Sequence, residues 1–65
     1  MKDVFYEGEV FVTYHAVSGV IRWFTTDRRI GFENVGVVDD AQAVKEAEAI
    51  ATGLNMDLFF QIEDD

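Results

Sequence analysis

A lone helical period in an otherwise strand-like chain constrains this sequence more than any other feature. In Asp39 to Gly53, DDAQAVKEAEAIATG, the apolar residues Ala43, Val44, Ala47, Ile50 and Ala51, with Leu54 just beyond, recur at the spacing of one helix face. Gln42, Lys45, Glu46 and Thr52 fall mostly on the other side. Asp39 suits the N-cap, and Gln42 stands where a capping-box partner would reach back. Asp39 and Asp40 also place negative charge at the positive end of the helix dipole. Gly53 tolerates positive φ and is expected to end the helix. An alanine-rich stripe allows close approach to a flat layer, and a sheet is the layer that the rest of the chain can supply.

The remaining segments carry strand signals. Asp3 to Tyr6 reads as a short strand, followed at Glu7-Gly8 by a tight turn or a bulge. Glu9 to Val17 is rich in β-branched and aromatic residues, Ser18-Gly19 has turn character, and Val20 to Thr26 returns, which predicts a hairpin. Asp27-Arg28-Arg29 is a further turn. Ile30 to Val38 then resumes strand propensity, weakened by Gly31 and Gly36 and open to a bulge or break at Glu33-Asn34. After the helix, Met56 to Ile62 alternates: Met56, Leu58, Phe60 and Ile62 face one way, and Asp57, Phe59, Gln61 and Glu63 the other. Glu63 to Asp65 are expected to fray. The expected fold is α+β, with an antiparallel or mixed sheet of three to five strands and one helix packed on one face, in the order β-β-β-α-β. The final strand either pairs at an edge or inserts between earlier strands. The 65 residues are expected to form a single small domain, 1–65.

Charge narrows the function. The formal net charge is −8, and its distribution is uneven. Residues 1–32 carry Lys2, Arg22, Arg28 and Arg29 against Asp3, Glu7, Glu9 and Asp27, which cancel. Residues 33–65 set Lys45 alone against nine carboxylates, so the whole excess lies in the second half. Direct binding to nucleic acid is disfavoured, because phosphate contacts need clustered Lys and Arg. An anionic membrane surface is disfavoured for the same reason. A basic protein partner is favoured instead. Cysteine is absent, so neither a disulfide nor a thiolate metal site is available. The first twenty residues are interrupted by Asp3, Glu7 and Glu9, so no secretory signal is expected, and no apolar run approaches a membrane span. A soluble, cytoplasmic protein is the expectation.

One helix cannot cover both sides of such a sheet. Along Glu9–Val17, Val10, Val12, Tyr14 and Ala16 share one face, and Phe11, Thr13, His15 and Val17 the other. Along Val20–Thr26 the division is Ile21, Trp23 and Thr25 against Val20, Arg22, Phe24 and Thr26. Neither strand has a purely polar face, and strands apolar on both sides are normally covered on both. If the helix takes the other face, Phe11, Phe24 and Phe59 are the candidate aromatic residues for a protein partner or a homodimer. The alternative is a sheet that curls into a half-barrel and buries both faces itself.

Catalytic chemistry has little to draw on. His15 is the lone histidine, and no motif sets a partner beside it. Asp39-Asp40 and Glu63-Asp64-Asp65 lack the ligand spacing of a calcium loop, and there is no phosphate loop or dinucleotide fingerprint. No enzyme, no cofactor and no metal is expected. Arg22, Arg28 and Arg29 form the basic cluster, suited to a carboxylate-rich partner or to the acidic half of a second copy, or simply to a solvated loop. In size and charge the chain is similar to the small acidic proteins that phages and mobile elements use against restriction, CRISPR or DNA-repair enzymes. That resemblance implies an inhibitor of a basic nucleic-acid-binding enzyme, with Asp39, Asp40, Glu46 and Glu48 as acidic contact residues that occupy sites meant for phosphates. The alternative function is a self-associating structural or regulatory module, in which the acidity serves solubility only.

Overall fold

The structure, a computed structural model, describes residues 8–64. The strand expected at Asp3 to Tyr6 lies outside them. Four strands and a helix follow in the order β1 (Glu9–His15), β2 (Val20–Thr25), β3 (Ile30–Asn34), α1 (Asp40–Leu54) and β4 (Asp57–Glu63). The fold is α+β, with the helix against one face of a four-stranded mixed sheet of spatial order β3-β2-β1-β4. β1 pairs antiparallel with β2, and β2 with β3, through short turns. β4 pairs parallel with β1 at the opposite edge, an arrangement that needs a crossover, and α1 supplies it. The last strand therefore takes an edge and does not insert.

The core forms where the two apolar patterns meet. Ala43, Ala47 and Ala51 of α1 are buried, as are Val10, Val12, Tyr14 and Ile21 of the sheet. The helix lies over β1 and β4, and Leu58, Phe60 and Ile62 of β4 pack into the same cluster. Beyond the helix, Trp23 and the connecting residues Val35 and Val38 complete it. Gly31 has a specific reason to be glycine: a Cβ there would stand 2.4 Å from Cζ2 of Trp23, so the indole lies directly on the β3 backbone.

Tyr14 ties the sheet to the β3–α1 connection. Its buried hydroxyl accepts from the Val38 N–H at 2.8 Å and donates to the Gly36 carbonyl at 3.1 Å. The same connection is clasped at its start, where the Gly19 carbonyl accepts from the N–H groups of Val35 and Gly36. Gly19 itself has φ 75°, and a Cβ on it would meet the Gly36 backbone at 2.4 Å.

Several boundaries differ from the sequence expectation. β1 ends at His15, and Ala16 to Gly19 form the turn, closed by the Gly19 N–H on the His15 carbonyl. β3 stops at Asn34, because the next two N–H groups turn away to Gly19 and Gly36 takes a positive φ of 82°. The helix does not end at Gly53. It runs to Leu54, and Asn55 takes the left-handed conformation, φ 58° and ψ 47°. The Asn55 N–H then bonds the Thr52 carbonyl and the Met56 N–H bonds that of Ala51, a Schellman closure. Asparagine tolerates that conformation better than most residues other than glycine, and the extra residue keeps Leu54 within the helix and packed against the core. At the other end Asp39 is the N-cap, accepting from the Gln42 N–H at 2.9 Å. Gln42 completes only half a capping box, since its side chain bonds Glu46 at 3.1 Å and does not reach back.

Candidate functional site

Strand alternation places every second residue on the face away from α1, and the register lines these residues up across the sheet. Phe11 of β1 is opposite Phe59 of β4 on one side and Phe24 of β2 on the other, and Phe24 is opposite Ile30 of β3. Phe59, Phe11, Phe24 and Ile30 thus form one unbroken apolar row from edge to edge. The Phe11 and Phe24 rings stack at 5.0 Å with 21° between their planes, and Phe11 and Phe59 lie 5.5 Å apart and tilted. The next row is Gln61, Thr13, Arg22 and Phe32, and the third is Glu63, His15, Val20 and Asn34.

This face is open. Phe24 is 52% exposed, Phe59 54%, Phe32 76% and Ile30 79%, values far above those of packed aromatic and branched side chains. Among the described residues nothing covers it, so the sheet does not curl on itself. Val20, Arg22, Phe24, Ile30 and Phe32 bound a shallow groove of about 620 Å³ over β2 and β3. A smaller depression of about 100 Å³ separates Phe11, Phe24 and Phe59 from Thr13 and Gln61.

Polar groups frame the row unevenly. Toward the start of β1, Glu9 pairs in register with Asp57, so both carboxylates share the open face beside Phe11 and Phe59. Glu63 lies on the same β4 strand at its far end. On the other half Arg22 stands on β2, and Arg28 and Arg29 occupy the β2–β3 turn. That turn is built around Thr25, a buried hydroxyl that donates to the Asp27 carboxylate and accepts from the Arg29 N–H. The Thr25 hydroxyl and then the Arg29 guanidinium, 3.1 Å away, hold the Asp27 carboxyl below its ordinary value of 3.8. Arg28 has φ 76°, a position ordinarily taken by glycine or asparagine.

The acidic candidates lie elsewhere. Asp39, Asp40, Glu46 and Glu48 belong to α1 and its cap, on the opposite side of the sheet from the aromatic row. They do not form one patch. Asp39 and Asp40 sit at the helix start, while Glu46 and Glu48, two residues apart, project about 160° from one another around the helix axis. The aromatic and acidic candidates lie on two different surfaces, because the helix carries its charge away from the sheet. His15 is half-buried in the third row, beside Val20 and Glu63.

Phe11, Phe24 and Phe59 are brought together by the structure. Ile30, Phe32 and Arg22 join them on the face, and Ile30 and Phe32 were not among the sequence candidates. The available signal was the alternation of Ile30 and Phe32 with Gly31 and Glu33, but their side of the sheet depends on the length of the preceding turn. Among the described residues no group of three or more His, Asp or Glu side chains could hold a metal ion, and no helix is long and apolar enough to cross a membrane. No protein-family model, no curated protein and no solved structure matches this chain.

Proposed function

We propose that this chain is a small acidic protein-interaction module that docks a protein on the open face of its sheet. The observation that carries this reading is the row Phe59–Phe11–Phe24–Ile30, extended by Phe32, on a sheet face that none of the described residues covers. Stacked rings held by a rigid sheet offer large contact area at little entropic cost, and a patch of this kind rimmed by polar side chains is what a protein partner covers. Affinity would rest on Phe24 and Phe59, with Arg22 and the carboxylates at the rim setting orientation. The test is capture by the immobilised chain from host extract, with wild type compared against Phe24→Asp and Phe59→Asp. A partner retained by wild type and lost with both variants supports the reading. Retention that is indifferent to both overturns it.

A second reading is an inhibitor that offers carboxylates to the basic site of a nucleic-acid-binding enzyme. It is favoured by the concentration of the whole −8 charge in the second half and by the outward exposure of Asp39, Asp40 and Glu48. The dispersal of these groups around the helix weighs against a single phosphate-like array. Here retention would be lost with Asp40→Asn and Glu48→Gln, would fall steeply with salt, and would compete with DNA. An enzyme held equally well in high salt would exclude it.

A further inference from the structure

We infer that the partner on the open face is a second copy of this chain, packed face to face about a two-fold axis that runs along the strands between β1 and β2. The inference rests on the reading of that face as a docking surface, and it specifies the occupant. Such an axis exchanges the two halves of the sheet while keeping each row level with itself. β1 then lies over β2 of the second copy, and β4 over β3. The apolar row meets its own image, Phe11 opposite Phe24 and Phe59 opposite Ile30. An axis across the strands through the middle row would instead set Phe59 on Glu63 and Phe11 on His15, and one through the aromatic row would leave the third row without a counterpart.

The charges on the face favour the same axis. The β4 and β1 half of the open face carries Asp57, Glu9 and Glu63 and the β2 and β3 half carries Arg22, with Arg28 in the adjoining turn beside the Asp27–Arg29 ion pair. Exchange of the halves brings unlike charges together. The β2–β3 turn lies at the same end of the sheet as Asp57, so the exchange of halves brings Arg28 to the corner that holds Asp57 of the second copy. Arg22 lies one strand and one row from Glu63 of the second copy, within reach of its long side chain. Shape agrees with charge: the groove of about 620 Å³ over β2 and β3 lies opposite Phe11 and Phe59 of the other copy. Stacked sheets rotate by about 30° relative to one another, which displaces the corners most and the central Phe11–Phe24 contact least. Glu63 at one corner and Arg28 in the turn at another have long, flexible side chains that can follow this displacement.

The helix and its cap carry −3 of the net charge, and that part does not oppose the pairing. The acidic helices lie on the outer sides of the pair, about 30 Å apart if each layer adds about 10 Å, well beyond a Debye length of about 8 Å. Edge-to-edge pairing through β3 would leave the aromatic row in water, so it does not answer the same need. The face is small, roughly 19 Å by 20 Å from strand spacing and rise. That is about 380 Å² per copy and about 760 Å² in all, below the usual range of stable interfaces, so the dimer is a weak and reversible one.

Sedimentation equilibrium from low micromolar to millimolar concentration tests the inference. The expected result is a mass that rises from one chain to two, with Phe24→Asp weakening association about tenfold or more. Phe24 is half exposed and apart from the core, and far-UV circular dichroism checks that this variant folds. A charge exchange is independent of the ring: Asp57→Lys and Arg28→Asp should each weaken the dimer, and the two together should restore it. A natively folded wild type that stays a single chain throughout the range overturns the second copy as occupant. If Phe24→Asp still abolishes capture of another protein, the docking face stands with a different partner. If neither association nor capture responds to it, both readings fall. A double exchange weaker than either single one overturns the two-fold arrangement itself.

Discussion

Tyr14 and Asp27 show how single side chains hold the connections of this fold. The hydroxyl of buried Tyr14 satisfies the N–H of half-buried Val38 at the edge of the core. Tyr14→Phe keeps the ring but orphans that donor, at an expected cost of about 1–3 kcal/mol, measurable as a lower urea midpoint with an unchanged slope. Asp27 is a matter of pH. Because the Thr25 hydroxyl and Arg29 favour its charged form, its folded pKa lies below the ordinary 3.8. The stability it contributes is complete above the ordinary value and disappears as pH falls through the lower, folded value. The difference in urea midpoint between wild type and Asp27→Asn should therefore hold steady from neutral pH to about pH 5 and close below about pH 4. A difference that grows on acidification would contradict the geometry of the turn.

At the scale of elements, the end of the helix shows what was legible in the sequence and what was not. The apolar stripe from Ala43 to Leu54 and the Asp39 cap could be read directly, because both depend on local spacing. The stop could not. Gly53 and Asn55 both tolerate positive φ, and the choice fell to whichever left Leu54 in contact with the core, which is a tertiary matter. Gly53 consequently stands inside the last turn, and a Cβ there would meet nothing within 4 Å. Gly53→Ala should stabilise the protein by about 0.5–1 kcal/mol, seen as a raised midpoint in thermal or urea unfolding. The faces of β1, β2 and β4 were legible for the same reason as the stripe, since alternation assigns them without knowledge of neighbours, and with them Phe11, Phe24 and Phe59. β3 was harder. Its side of the sheet hangs on a turn that places Arg28 at φ 76°, which nothing in Asp27-Arg28-Arg29 announces. Glu46 and Glu48 illustrate the converse, since nearness in sequence on a helix means separation in space.

For the whole molecule, charge and topology have separate consequences. Net charge opposes association through an exposed aromatic face, and the sequence pI is about 4.3. Solubility should reach a minimum near that pH, and Phe24→Gln should make the minimum shallower, as turbidity would report. Topology acts on time. β4 is the last element in the chain, yet it lies beside the first strand, and Gln61 and Thr13, neighbours in the sheet, are 48 residues apart. The β1–β2–β3 meander can form from local contacts, whereas the β1–β4 ladder must first close a loop that spans most of the chain. Loss of packing in β4, as in Phe60→Leu, should therefore speed unfolding far more than it slows refolding in a chevron experiment. Until that ladder closes, the three-stranded meander presents apolar side chains on both faces. Any opening that undocks β4 would expose the same two faces, the condition that favours aggregation and proteolysis.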